Sequence, residues 1–170
     1  MAAKAPKITG PRLSPVLLED LRDDPEPEFQ RGERYDGVRY SRAAADGLEL
    51  SGTDFAECEF QGVSFNDTQL RGATFRDCIL AELYAPVFTA ARTTWRDVHI
   101  ANPRLGSAEL YESGWQSVRI DGGKLDFLNL RGTDFRTISG LGSLAGVVID
   151  DYQLSLLAPL LAAHLGVVVL

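Results

Sequence analysis

From Tyr35 onward, every fifth residue is apolar. The series runs Tyr35, Tyr40, Ala45, Leu50, Phe55, Phe60, Phe65, Leu70, Phe75 and Leu80. It continues through Ala85, Ala90, Trp95, Ile100, Leu105, Leu110, Trp115, Ile120, Leu125, Leu130 and Phe135. All 21 positions are apolar or aromatic in a chain that is 45% hydrophobic, where a random phase would supply about nine or ten. Five matches neither the period of a helix nor that of a strand. The chain therefore repeats a unit of its own, and fixed-period self-similarity is the mark of a solenoid or array.

The neighbours keep phase with the centres. Two residues before each centre stand small or β-branched groups such as Thr53, Cys58, Val63, Thr68, Ala73 and Cys78. The remaining positions are mostly polar, and Gly recurs just before the next unit at Gly37, Gly47, Gly52, Gly62, Gly72, Gly122 and Gly132. Two inward and three outward positions per five describe a short extended side followed by a corner that calls for positive φ. Thr53-Asp54-Phe55, Leu128-Asn129-Leu130 and Thr133-Asp134-Phe135 resemble the alanine–Asp/Asn–leucine unit of the pentapeptide-repeat family, over roughly residues 33–137.

The resemblance implies an all-β solenoid, a right-handed quadrilateral β-helix with four units per coil, and hence a second period of twenty. Every twentieth residue from Tyr35 is aromatic: Tyr35, Phe55, Phe75, Trp95, Trp115 and Phe135. Such a column is what rings stacked up one inner wall require, in coils about 4.8 Å apart. Where Leu83 and Phe88 enlarge the small-residue site, the following centres shrink to Ala85 and Ala90, which keeps the interior volume level. The expected architecture is five to six coils over residues 33–149, a tail and short helical cap over 1–32, and a C-terminal helix and short strand over 150–170.

Both flanks carry their own signals. Ser14-Pro15 reads as an N-cap and first helical residue, opening a helix to about Arg22 with Val16, Leu17, Leu18 and Leu21 inward and Asp23-Asp24-Pro25 ending it. After Phe135 the register slips and restarts at Leu144 and Ile149. Asp150 or Asp151 can cap a helix over Tyr152–Leu165 that Pro159 kinks or restarts, ended by Gly166. That helix has no charge after Asp151 and is too apolar for one wet face. Capping uses one face, so the surplus predicts a symmetric homodimer through Leu156, Leu157, Leu160 and Leu161. The resemblance agrees, since family members pair through C-terminal helices.

Composition bounds the chemistry. A net charge of −7 disfavours a surface that binds nucleic acid or anionic membrane directly. The apolar C-terminal run of about 17 residues, broken by Pro159, is shorter than the ~20 that a membrane span needs, and no apolar segment follows Met1–Lys7 as a secretory signal would require. A cytoplasmic protein is the default. Cys58 and Cys78 share one inner column, at a separation that suits a disulfide as well as plain packing of small fillers. His99 is on an outer wall and His164 on the C-terminal helix. Gly140, Gly142 and Gly146 lack the spacing and the βαβ surroundings of a dinucleotide loop. No catalytic set, metal set or cofactor loop is expected, so the chain reads as a non-enzyme without cofactors.

Outside, Arg76, Arg96 and Arg136 form a column beside Glu57, Asp77 and Asp97, which predicts stripes that pair across coils, while Tyr84, Pro86, Val87 and Phe127 put apolar groups on another wall. The leading reading is a rigid, homodimeric protein-interaction scaffold. The alternative comes from the resemblance: some members mimic B-form DNA and modulate DNA gyrase or topoisomerase IV, giving quinolone-type resistance, which would make a type II topoisomerase the partner. Residues 33–137 hold 16 acids against 12 bases, with the signs mixed, and five coils span roughly 25 Å, so that role would need two rods joined end to end.

Overall fold

In the computed structural model, which describes residues 14–133, 138–139 and 147–165, strand pairs with strand at an offset of twenty. Tyr35 pairs with Phe55, Phe55 with Phe75, Phe75 with Trp95 and Trp95 with Trp115, all parallel. The chain winds as a parallel β-solenoid of about six coils. A nine-stranded sheet forms two adjoining walls and a five-stranded sheet forms the other two. We number the walls by the centres they carry in the second coil: Phe55 first, Phe60 second, Phe65 third and Leu70 fourth.

The fold follows from the five-residue unit. Centre and small residue both point inward: Phe55, Cys58, Phe60, Val63, Phe65, Thr68 and Leu70 have no exposed surface. At the corners, three walls turn through a residue with positive φ in every described coil and the third wall does so at Gly47 and Asp67, and polar side chains take this conformation where Gly does not. Gly37, Glu57, Asp77, Asp97 and Ser117 hold the corner after the first wall, with φ between 51° and 64°. The left-handed region costs about 1–2 kcal/mol for a residue with a Cβ. Asp and Asn are among the side chains that bear it best, because a short polar group can bond locally. The freed backbone groups then pair between coils, as where the Glu57 N–H donates to the Arg76 carbonyl at 2.9 Å.

The first wall carries the ring column. Tyr35 and Phe55 stack at 5.4 Å, Phe55 and Phe75 at 5.1 Å, and Phe75 and Trp95 at 4.3 Å with the planes 11° apart. Trp115 tilts by 55° against Trp95 at 6.2 Å, and Phe135 lies outside the described residues. Leu83 and Phe88 are buried two residues before the shrunken centres Ala85 and Ala90, which are buried too, so large and small exchange places along the wall. In the second wall the Tyr40 hydroxyl is buried with no hydrogen-bond partner, and burial pushes its phenol well above the ordinary value. Tyr40→Phe removes a desolvated group that nothing satisfies. It is expected to raise stability by about 1 kcal/mol, read as a later urea midpoint at unchanged slope.

The base of the solenoid corrects the sequence reading. No helix forms over Ser14–Arg22; the segment is extended and Asp20 has a φ of 53°. The physical reason is the open edge of the first coil, whose backbone groups need partners that a helix cannot supply. Strand Arg22–Asp23 pairs parallel with Val38–Arg39, and the N–H groups of Arg22 and Asp24 donate to Gly37 and Arg39 at 2.9 Å. Phe29 then plugs the interior, with its ring 5.5 Å from Tyr35 and 4.9 Å from Tyr40.

Candidate functional site

At the other end the count slips, as the apolar pattern requires. Val147 pairs with Leu128, an offset of nineteen, which brings Ile149 over Leu130 as a new centre packed on the core. Leu144 and the Gly140–Gly146 stretch lie outside the described residues. Helix α1, Asp151–Leu165, follows and runs through Pro159 as one element.

Its start is a reciprocal cap. The Asp150 carboxylate accepts from the Gln153 N–H at 2.8 Å, and the Gln153 side-chain oxygen accepts from the Asp150 N–H at 2.8 Å. The Gly132 N–H donates to the same carboxylate at 2.8 Å, tying the cap to the coil beneath. Gln153 is 1% exposed and donates its amide to the carbonyls of Leu130 and Thr133, the latter at 2.8 Å. One glutamine thus donates to two carbonyls of the coil beneath it, that of Leu130 also accepting from the Thr133 N–H at 2.9 Å. Sequence reading missed Gln153. The signal available was an Asp followed three residues later by Gln, the capping-box spacing.

Hydrogen bonds from the Gln153 and Gly132 N–H groups hold the Asp150 carboxyl below the usual carboxylate range. A depressed carboxyl stabilises above its unfolded pKa, and that contribution is lost as pH falls through the lower folded value. The cap is expected to loosen below about pH 4. Amide exchange in α1 between pH 5 and 2 should show the loosening in the wild type, and Asp150→Asn, which caps without titrating, should be flat there.

The cap divides the helix. Gln153 is buried and Leu157 packs on the core, whereas Tyr152 is 67% exposed, Leu154 49% and Leu156 39%. Of the four leucines expected at a dimer seam, Leu156 faces outward and Leu157 faces the solenoid. The side chains of Leu160, Leu161 and His164 lie outside the described set.

Cys58 and Cys78 are free, buried thiols that donate to backbone carbonyls such as those of Ala56 and Arg76, both at 3.2 Å. Burial pushes Cys58 up to about 11 and raises Cys78 as well, so both stay protonated and unreactive at neutral pH. His99 bonds Asp121 at 2.9 Å, and Arg119 reaches the same carboxylate at 2.5 Å. Among the described residues, no group of three His, Cys, Asp or Glu is placed to hold a metal, and no helix is long and apolar enough to cross a membrane. The arginine stripe pairs differently from its expected form. Arg76 reaches Asp54 in the coil below at 2.9 Å and Arg96 reaches Asp97 in its own coil at 3.5 Å, while Arg136 lies outside the described residues. Arg76 thus finds its acceptor on its own wall, whereas Arg96 turns to the corner residue Asp97.

Residues 41–80 match the family model of pentapeptide repeats, with eight copies. Among solved structures, the chain is similar to a trypsin-treated form of QnrB1, a plasmid-mediated fluoroquinolone resistance protein. The two are 21% identical, with 87% of this chain and 96% of that one covered and a TM-score of 0.48. A second trypsin-treated form of QnrB1 gives 21% identity, 88% and 96% coverage and a TM-score of 0.47. No curated protein matches. The eight matched units are the walls of two successive coils, and their register continues unbroken to Trp115 and Ile120 above, so residues 41–80 are pentapeptide repeats set in a longer solenoid of the same period.

Proposed function

We propose that the chain is a non-catalytic interaction scaffold that pairs with a second copy of itself through α1. The observation that carries this is the division of the helix: one side closes the solenoid through Gln153 and Leu157, while Tyr152 and Leu156 stand exposed one turn apart beside it and Leu154 is exposed at its other border. Exposed apolar side chains on a helix with no charge after Asp151 suit an isologous seam. The base is its opposite. Between Ser14 and Glu33 seven acids stand against two arginines, so two bases repel and two helix ends attract. Association then closes at two copies. Along the walls opposite charges interleave, as in Arg39–Glu59 at 2.7 Å and Arg92–Glu112 at 2.5 Å, which favours a mosaic surface over a continuous anionic one.

Sedimentation velocity tests the reading. The wild type should run as a dimer at micromolar concentration. Leu154→Asp combined with Leu156→Asp should run as a folded monomer whose thermal midpoint falls only by what the lost association contributed, because neither side chain belongs to the core. A monomeric wild type under these conditions ends the proposal.

A further inference from the structure

Of the four corner columns, the one after the first wall alone carries acids in three successive described coils, at Glu57, Asp77 and Asp97. Each stands one storey above the last, about 4.8 Å apart. Glu57 and Asp77 are exposed and form no ion pair among the described residues, while Asp97 takes Arg96 at 3.5 Å. Arg76, the other base on this wall in these coils, is committed to Asp54 at 2.9 Å. From the second coil to the fourth, wall and corner thus set the acids Asp54, Glu57, Asp77 and Asp97 against Arg76 and Arg96, and both arginines are already in use.

The chain itself lies on this corner. Ser14, Pro15, Val16 and Leu17 sit against Glu57, Asp77 and Asp97 around a space of about 430 Å³, and those three carboxylates are the only charged side chains that line it. The residues that precede Ser14 carry Lys4, Lys7 and Arg12 and no acid. Arg12 is two residues from Ser14, at most about 7 Å of backbone, so the course of the chain delivers its guanidinium to the column. A metal ion does not suit these acids, because among the described residues no three such groups converge on one point. Carboxylates strung along a rod call for cations strung along a chain. Tethering adds to this, since a segment held at its own site binds at a high effective concentration.

We propose that residues 4–12 are an arm that seats on this corner of the same chain, with Arg12 and Lys7 on the carboxylates of Glu57 and Asp77. Seated, the arm neutralises the acidic corner and withholds it from other cationic segments; displaced, it uncovers it. The inference goes beyond the scaffold reading and does not depend on it.

Limited trypsin digestion of the full chain tests it, read as the appearance of the fragment that begins at Leu13. At about 0.01 M salt, where exposed charges act over about 30 Å, the wild type should be cut after Arg12 about fivefold more slowly than Glu57→Gln/Asp77→Asn, the protection that two exposed ion pairs supply. At about 1 M salt the two should be cut at one rate. Both substituted side chains are exposed, so the melting temperatures at high salt should match. Carbodiimide coupling, which joins an ammonium to a carboxylate it touches, should link Lys4 or Lys7 to this column within one chain when isotopically labelled and unlabelled copies are mixed. Equal cleavage of wild type and variant at low salt, protection that persists at high salt, links confined to other carboxylates, or links between labelled and unlabelled copies would overturn the proposal. Sedimentation decides the scaffold separately, because these substitutions lie away from α1.

Discussion

Trp95→Ala is expected to lower the unfolding free energy by about 3–5 kcal/mol, the cost of emptying a large buried aromatic site. Trp95 is 1% exposed, stacks on Phe75 at 4.3 Å and donates its ring N–H to the Thr93 hydroxyl at 2.6 Å. Truncation therefore removes a stack and a satisfied polar contact together. The walls cannot close on the void, because each is pinned at its own height by the coils above and below. Trp115→Phe is the comparator. The Trp115 ring N–H is buried without a partner, so losing it offsets part of the lost area and the cost should stay near 1 kcal/mol or below. Equilibrium denaturation of the two variants decides the matter; equal losses would refute the account of the column.

Gly123→Ala should be as damaging, for a different reason. Gly123 has a φ of +79°, and a Cβ there would meet the Pro103 carbonyl oxygen at 2.3 Å and the Pro103 nitrogen at 2.6 Å. Both are backbone atoms of the neighbouring coil and can move only if the coils part. Gly52 separates the two contributions, since its φ is +71° with nothing within 4 Å of an added Cβ. Gly52→Ala should cost about 1–2 kcal/mol from the left-handed conformation alone. Gly123→Ala should cost several kcal/mol, in the range reached by strongly overpacked sites. Thermal midpoints measured side by side test this, and similar losses would show that the close approach is unimportant.

What could be read from sequence was whatever the repeat governs. A centre every five residues fixes which side chains point inward, so the ring column from Tyr35 to Trp115, the exchange of Phe88 for Ala90 and the restart at Ile149 were all legible. The ends were not, because their structure answers a need elsewhere in the chain. Ser14-Pro15 is a sound local helix start, yet the unpaired edge at Gly37 and Arg39 claims the following backbone as strand. Gln153 looks like a stray polar residue in an apolar helix until the carbonyls of Leu130 and Thr133 are placed beneath it. Leu157 and Leu156 are neighbours of one residue type, and only the helix's rotation on the last coil puts one inside and the other out. On the third wall Gly106 and Gly123 lie against prolines twenty residues earlier, a coincidence of columns that no single segment displays.

The offset of nineteen between Leu128 and Val147 fixes how this molecule can change length. Duplicating twenty residues anywhere between Thr53 and Asn129 returns every side chain to its own wall and adds one storey of about 4.8 Å, with plug and clasp untouched. The same insertion set beyond the slip would meet the helix instead of a coil. The rod therefore extends from its middle in whole storeys, and the span between its charged foot and its apolar head is a quantity that evolution or a designer can set in discrete steps.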